Sequence, residues 1–150
     1  MTATLTETAD EQVWSFRGRE VTQLIIDPAA FRFQTWTLDG AAEVRVNVPF
    51  TFRPAGGDPA TLDPEHAREL APTLGLLGVG LERIGVQRTG ELRIDFADGS
   101  VLEVSPHPAY EAWEVSGVDS LAALGYLCGP GGGSPWGSVM RRCHLTNRCT

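Results

Sequence analysis

Lysine is missing from this 150-residue chain, and all 12 basic side chains are arginine. That absence excludes Schiff-base catalysis by a lysine and the lysine of a phosphate-binding loop. Basic charge is scarce as well: 12 residues against 19 acidic ones give a net charge of −7, which opposes binding to the phosphate backbone of nucleic acids. No apolar run nears the ~20 residues that a membrane-spanning helix requires. Residues 1–12 lack the basic and apolar regions of a signal peptide. Cysteine is confined to Cys128, Cys143 and Cys149, an odd number that reads as reduced thiols in a cytoplasmic protein.

Signatures of catalysis are equally thin. Ser134 is followed by Pro135 and Trp136, so the Gly-x-Ser-x-Gly elbow of a nucleophile is absent. Cys128, Cys143, His144 and Cys149 include no Cys-x2-Cys pair, and their spacing specifies no metal. Gly129-Pro130-Gly131-Gly132-Gly133 lacks the Lys-Ser/Thr continuation of a nucleotide loop, and reads as a turn. His66 and His107 read as surface histidines. No cofactor is implied.

What the chain does contain is alternation. Its 42% hydrophobic content and length suit a single globular domain, which we place at residues 13–137 between a flexible N-terminus (1–12) and a flexible C-terminal tail (138–150). Val13–Phe16 and Glu20–Asp27 form one bent strand or two short ones. Phe31–Leu38 and Ala41–Phe50 predict a hairpin. A two-residue type I′ turn at Asp39-Gly40 sets Phe33 opposite Val46 and Thr35 opposite Val44, which gathers the apolar residues on one face. In the second hairpin, Glu91–Phe96 with Leu102–Val104, the same criterion demands a three-residue loop. Ala97-Asp98-Gly99, with Gly99 left-handed, pairs Ile94 with Leu102 and Leu92 with Val104.

Between the hairpins, Asp63 as cap and Pro64 in the first turn open a helix over residues 64–75. Its apolar stripe is Ala67, Leu70, Ala71 and Leu74, and Pro72 bends or breaks it. The order of elements recurs, so residues 13–52 and 76–116 form pseudo-repeats. One three-stranded unit buries only one face, and a second copy covers it. The expected fold is mainly β (α+β), an antiparallel β-sandwich or half-barrel with one short helix.

Gly90–Ser100, the box Tyr110-Glu111-Ala112-Trp113, the run Pro130–Gly133 and Trp136 together resemble a family of small uncharacterised domains found mainly in actinobacteria. The resemblance spans residues 16–136 and implies a fold but no catalytic residues. In size and charge the chain is also similar, more loosely, to bacterial toxin-immunity proteins.

The leading functional expectation is therefore a non-catalytic protein, a monomer or weak dimer, that binds a basic partner through an acidic sheet face. Glu91, Asp95 and Glu103 form that patch, joined by Glu111 or Glu114. The alternative is a small-ligand protein or enzyme with a pocket around Tyr110, Glu111, Trp113 and Trp136. In the box, taken as a strand, Glu111, Trp113 and Val115 share one face.

Overall fold

Alternating apolar residues turn inward along nearly every strand, and the chain resolves into two antiparallel sheets packed as a sandwich. The computed structural model describes residues 3–124 and 126–129. The strands are β1 (Thr4–Glu7), β2 (Glu11–Ser15), β3 (Gln23–Asp27), β4 (Ala30–Thr37), β5 (Gly40–Val46), β6 (Phe50–Arg53) and β7 (Ala60–Leu62). After a 3-10 helix (Ala67–Leu76) come β8 (Leu81–Gln87), β9 (Leu92–Phe96), β10 (Val101–Val104) and β11 (Trp113–Asp119). A short 3-10 turn (Ala122–Leu124) leads into β12 (Tyr126–Cys128). One sheet has seven strands in the order β1-β2-β8-β9-β10-β6-β7, the other five in the order β12-β11-β5-β4-β3. Among the described residues no helix is long and apolar enough to cross a membrane.

Two three-stranded meanders, β3-β4-β5 and β8-β9-β10, lie in different sheets. Their inner faces meet in one core that holds Phe31, Phe33, Val44, Val46, Leu92, Ile94, Leu102 and Val104, each at most 1% exposed. Phe33 meets Phe96 edge-on across the sheets, with ring centroids 5.6 Å apart.

The second hairpin has the anticipated register: Ile94 faces Leu102, Leu92 faces Val104, and Gly99 adopts φ +91°. The first hairpin differs. Phe33 lies opposite Val44 and Thr37 opposite Gly40, so the turn is Leu38-Asp39. Neither turn residue has positive φ, which excludes type I′. Because the turn slides by one residue, each partner moves by two and the apolar faces survive.

The reason for the slide is Arg19, an arginine 1% exposed in the β2–β3 connection. Its Nη1 donates to Gly40 O and Thr37 Oγ1, both at 2.8 Å, and its Nη2 to Ser120 Oγ at 2.8 Å and Asp39 Oδ1 at 3.2 Å. Gly40 can hold this place only without a side chain, since a Cβ would lie 2.6 Å from Ser120 Oγ.

The helix also departs from expectation. Its buried residues are Leu70, Thr73 and Leu76, a spacing of three that fits a 3-10 helix, while Leu74 of the predicted stripe is 54% exposed. Pro72 lies inside it and supplies no N–H. Its cap residue is His66, and Asp63 instead accepts from Glu65 N–H at 2.9 Å. Residues 4–7, expected to belong to a flexible terminus, form the exposed edge strand β1. The C-terminal tail expected at 138–150 lies outside the described residues.

Removing the Arg19 side chain strands buried acceptors and opens a cavity. Arg19→Ala is expected to lower the unfolding free energy by about 2–4 kcal/mol in urea denaturation. Arg19→Lys is expected to recover little, because an ammonium does not span the same fork of acceptors.

A hydrogen bond from the Thr37 hydroxyl, and then the charge of Arg19, hold the Asp39 carboxyl below the usual aspartate value. A depressed folded-state value contributes stability above the unfolded value and loses it as pH falls through the folded one. The stability difference between wild type and Asp39→Asn is therefore expected to shrink as urea titrations move from neutral pH to below about pH 4.

Candidate functional site

The outer face of the seven-stranded sheet is set by the same alternation that fills the core. Ile84 and Val86 of β8, Leu92 and Ile94 of β9, and Leu102 of β10 point inward. Their neighbours Arg83, Arg93, Asp95 and Glu103 therefore lie on the outer face, which the buried Gly85 shares. Cross-strand register places Val13, Gly85, Arg93 and Glu103 in one row, and Ser15, Arg83 and Asp95 in the next.

Arg93 is the centre of this face. Its Nη2 donates to Asp95 Oδ1 at 3.1 Å, and its Nη1 lies 3.7 Å from Glu103 Oε1. Arg83 Nε stands 3.9 Å from the other Asp95 oxygen. The hydrogen bond to Asp95, aided by the charges of Asp95, Glu103 and Glu11, holds the Arg93 guanidinium above its ordinary value. Beside it, Glu11, Val13, Arg83, Gly85, Arg93 and Asp95 line an open depression of about 150 Å³. Gly85 forms part of that lining, and a Cβ there would come within 2.9 Å of Glu11 Oε1. Such a depression holds the head of one long side chain, whereas small-molecule sites run to about 300–1,000 Å³.

The predicted acidic patch is divided. Asp95 and Glu103 share Arg93 on this face, and Glu91 is exposed in the turn between β8 and β9. Glu114 lies on the other sheet, in β11, where its carboxylate is 3.6 Å from Arg45 Nε. Its inward neighbours Trp113 and Val115 are fully buried, so Glu114 faces the opposite side of the sandwich. Glu111 is half-buried in the connection before β11, and its carbonyl accepts from Asn47 Nδ2 at 3.1 Å. Glu114 therefore does not join Glu91, Asp95 and Glu103 on one face, because alternation within a strand was legible and membership of a sheet was not.

The predicted ligand pocket does not assemble either. Strand β11 begins at Trp113, so Tyr110, Glu111 and Ala112 precede it. Trp113 is a core residue: its Nε1 donates to Gly90 O at 2.9 Å, and Gly129 packs so closely that a Cβ would lie 2.7 Å from that nitrogen. Tyr110 is 47% exposed and stacks on His107 at 3.9 Å between ring centroids. Trp136, Cys143, His144 and Cys149 lie outside the described residues. Cys128 is disulfide-bonded, which corrects the expectation of a reduced thiol at that position.

Glu11, Arg83, Gly85 and Arg93 were not among the predicted site residues. The signal available for them was Gly85, an isolated glycine inside the strand pattern Leu81–Gln87, which marks a site of close approach.

Residues 13–137 match a family of unknown function, DUF6188. The chain belongs to this family. No curated protein and no solved structure matches it. The DUF6188 segment begins inside β2, takes in Arg93, Asp95, Glu103 and the Trp113 box, and leaves out β1 and Glu11.

The two aromatic residues of the box are separable by stability. Trp113→Phe leaves the Gly90 carbonyl without its buried donor and is expected to cost about 1–3 kcal/mol in urea denaturation. Tyr110→Ala at the surface is expected to stay within about 0.5 kcal/mol of wild type.

Proposed function

We propose that the protein is a non-catalytic binding module that docks a basic protein partner on the outer face of its seven-stranded sheet, in the manner of a toxin-neutralising immunity protein. The observation that carries this reading is the Arg93 cluster: Glu11 and Asp95, with Arg83 and Arg93, line a depression beside Gly85, and Glu103 flanks Arg93 outside it. The depression accepts a single arginine or lysine head from a partner between the carboxylates of Glu11 and Asp95. Arg93 holds Asp95 in place beforehand, so less side-chain freedom is lost on binding. The net charge of −7 adds long-range attraction for a basic surface. Cytoplasmic residence, expected from reduced thiols, loses that support at Cys128, since disulfides persist mainly in oxidising compartments.

The test uses the whole chain as bait against extracts of its own cells, in parallel with the double variant Glu11→Arg/Glu103→Arg and with Gly85→Leu. A partner retained by wild type is expected to bind both variants more than about tenfold more weakly, with melting temperatures within a few degrees. Leucine fills the depression from a strand position that tolerates a side chain better than glycine. Raised salt is expected to weaken the wild-type complex. Equal retention of every captured protein by all three baits overturns the reading.

A further inference from the structure

The 3-10 geometry of the helix has a chemical consequence at its start. In a helix with three residues per turn, positions i, i+3 and i+6 stand in one line, whereas in an α-helix they drift around the axis. His66 N–H donates to Asp63 O at 3.0 Å and Glu69 N–H to His66 O at 2.9 Å, two successive three-residue turns. These two turns bring Asp63, His66 and Glu69 together at the helix start, with His66 as its non-helical cap at φ −116°, ψ 83°. The neighbouring line, Leu70, Thr73 and Leu76, is buried in the core. Leu62 before the cluster and Leu70 after it are at most 4% exposed, so both ends of the segment are anchored.

The three side chains converge. His66 Nδ1 lies 3.3 Å from Asp63 Oδ2 and 3.9 Å from Glu69 Oε2, and one ligand atom from each residue lies within 4.8 Å of the others. Tetrahedral ligands at ordinary zinc bond lengths stand about 3.4 Å apart, so small rotations of exposed side chains complete the fit. Backbone N–H groups fix both carboxylates: Glu65 N–H binds Asp63 Oδ1 at 2.9 Å, leaving Oδ2 toward His66, and Asp63 N–H binds Glu69 Oε2 at 3.1 Å.

We propose that Asp63, His66 and Glu69 form a binding site for a divalent transition-metal cation of the zinc class. One imidazole nitrogen with two carboxylates suits Zn²⁺, Co²⁺ or Mn²⁺ better than Ca²⁺, which prefers six to eight oxygens. Three protein ligands leave a position for water or for a group from another molecule. This site is separate from the Arg93 face and does not depend on the reading given to that face.

The experiment is a Zn²⁺ titration of the full chain by calorimetry, with two-bond proton–nitrogen spectra of the histidine rings. His66, His107 and His144 are the three histidines, so the ring that responds is identifiable by substitution. The expected result is a bound Zn²⁺ that shifts the Nδ1 resonance of His66 while its Nε2 keeps the proton. His66→Ala and Glu69→Gln, both at exposed positions, are expected to weaken that event more than about tenfold with the melting temperature unchanged. No binding, binding that leaves the His66 ring unmoved, or binding of equal affinity in His66→Ala overturns the proposal.

Discussion

Among the described residues, one buried cation, Arg19, joins the two sheets. The backbone of residue 19 belongs to the seven-stranded side, where its carbonyl accepts from Leu81 N–H at 2.6 Å and Glu20 bridges to Gly80. Its guanidinium belongs to the five-stranded side, where it grips the turn before β5 and Ser120 beyond β11. Withdrawing an isolated charge from water costs several kcal/mol, which the four hydrogen bonds, one of them to the Asp39 carboxylate, offset. Such a cation contributes less to net stability than to choice. A β4–β5 register with its turn one residue later carries the Gly40 carbonyl away from Nη1 and leaves that charge short of an acceptor. The Arg19 side chain therefore selects one arrangement among several that bury the same apolar residues.

The same corner anchors the candidate site. Gly80 O accepts from Ala97 N–H at 2.8 Å, and Gly80 approaches Ala97 so closely that a Cβ would lie 3.1 Å from the alanine methyl. Ala97 opens the turn that joins β9 to β10. The meander bearing Arg83, Arg93, Asp95 and Glu103 is thus tied at its turn to Gly80, which bridges to Glu20 beside Arg19. The outer face inherits a fixed strand register, and Arg93 meets its carboxylates along β9 and across to β10 without backbone adjustment.

What was legible in the sequence was local. The parity of Leu92, Ile94, Leu102 and Val104, with one glycine free to take positive φ, determines the second hairpin to the residue. The sandwich follows from two such apolar faces. The first hairpin obeys the same parity, but the position of its turn depends on contacts 20 and 101 residues away in sequence, from Arg19 to Asp39 and Ser120. No local pattern reports these. The helix was read against a period of 3.6, so its true stripe was missed, and the convergence of Asp63, His66 and Glu69 at its start was missed as well. The acidic patch divided for a third reason. Alternation tells which residues of a strand face water but not which sheet the strand joins, and the chain crosses between sheets before β3, β6 and β11.

The absence of lysine acquires a structural sense from the two outer faces. Arg93 stands between Asp95 and Glu103, and Arg32 on the other sheet hydrogen-bonds to both Asp27 and Glu43, at 3.0 and 3.1 Å. A guanidinium has five donors in a plane and can hold two carboxylates in different directions, which a lysine ammonium on its flexible stem fixes less well. The acidic excess is thus kept ordered by few cations, each spanning two anions. The faces diverge in what surrounds these bridges. On the five-stranded sheet, Trp36 and Val118 flank Ala41 in a neighbouring row and project into solvent. On the seven-stranded sheet, the position in Arg93's own row carries Gly85, whose missing side chain leaves room beside ordered carboxylates. Among the described residues, shape and charge coincide on the seven-stranded face, and that coincidence is what makes this face a candidate for recognition.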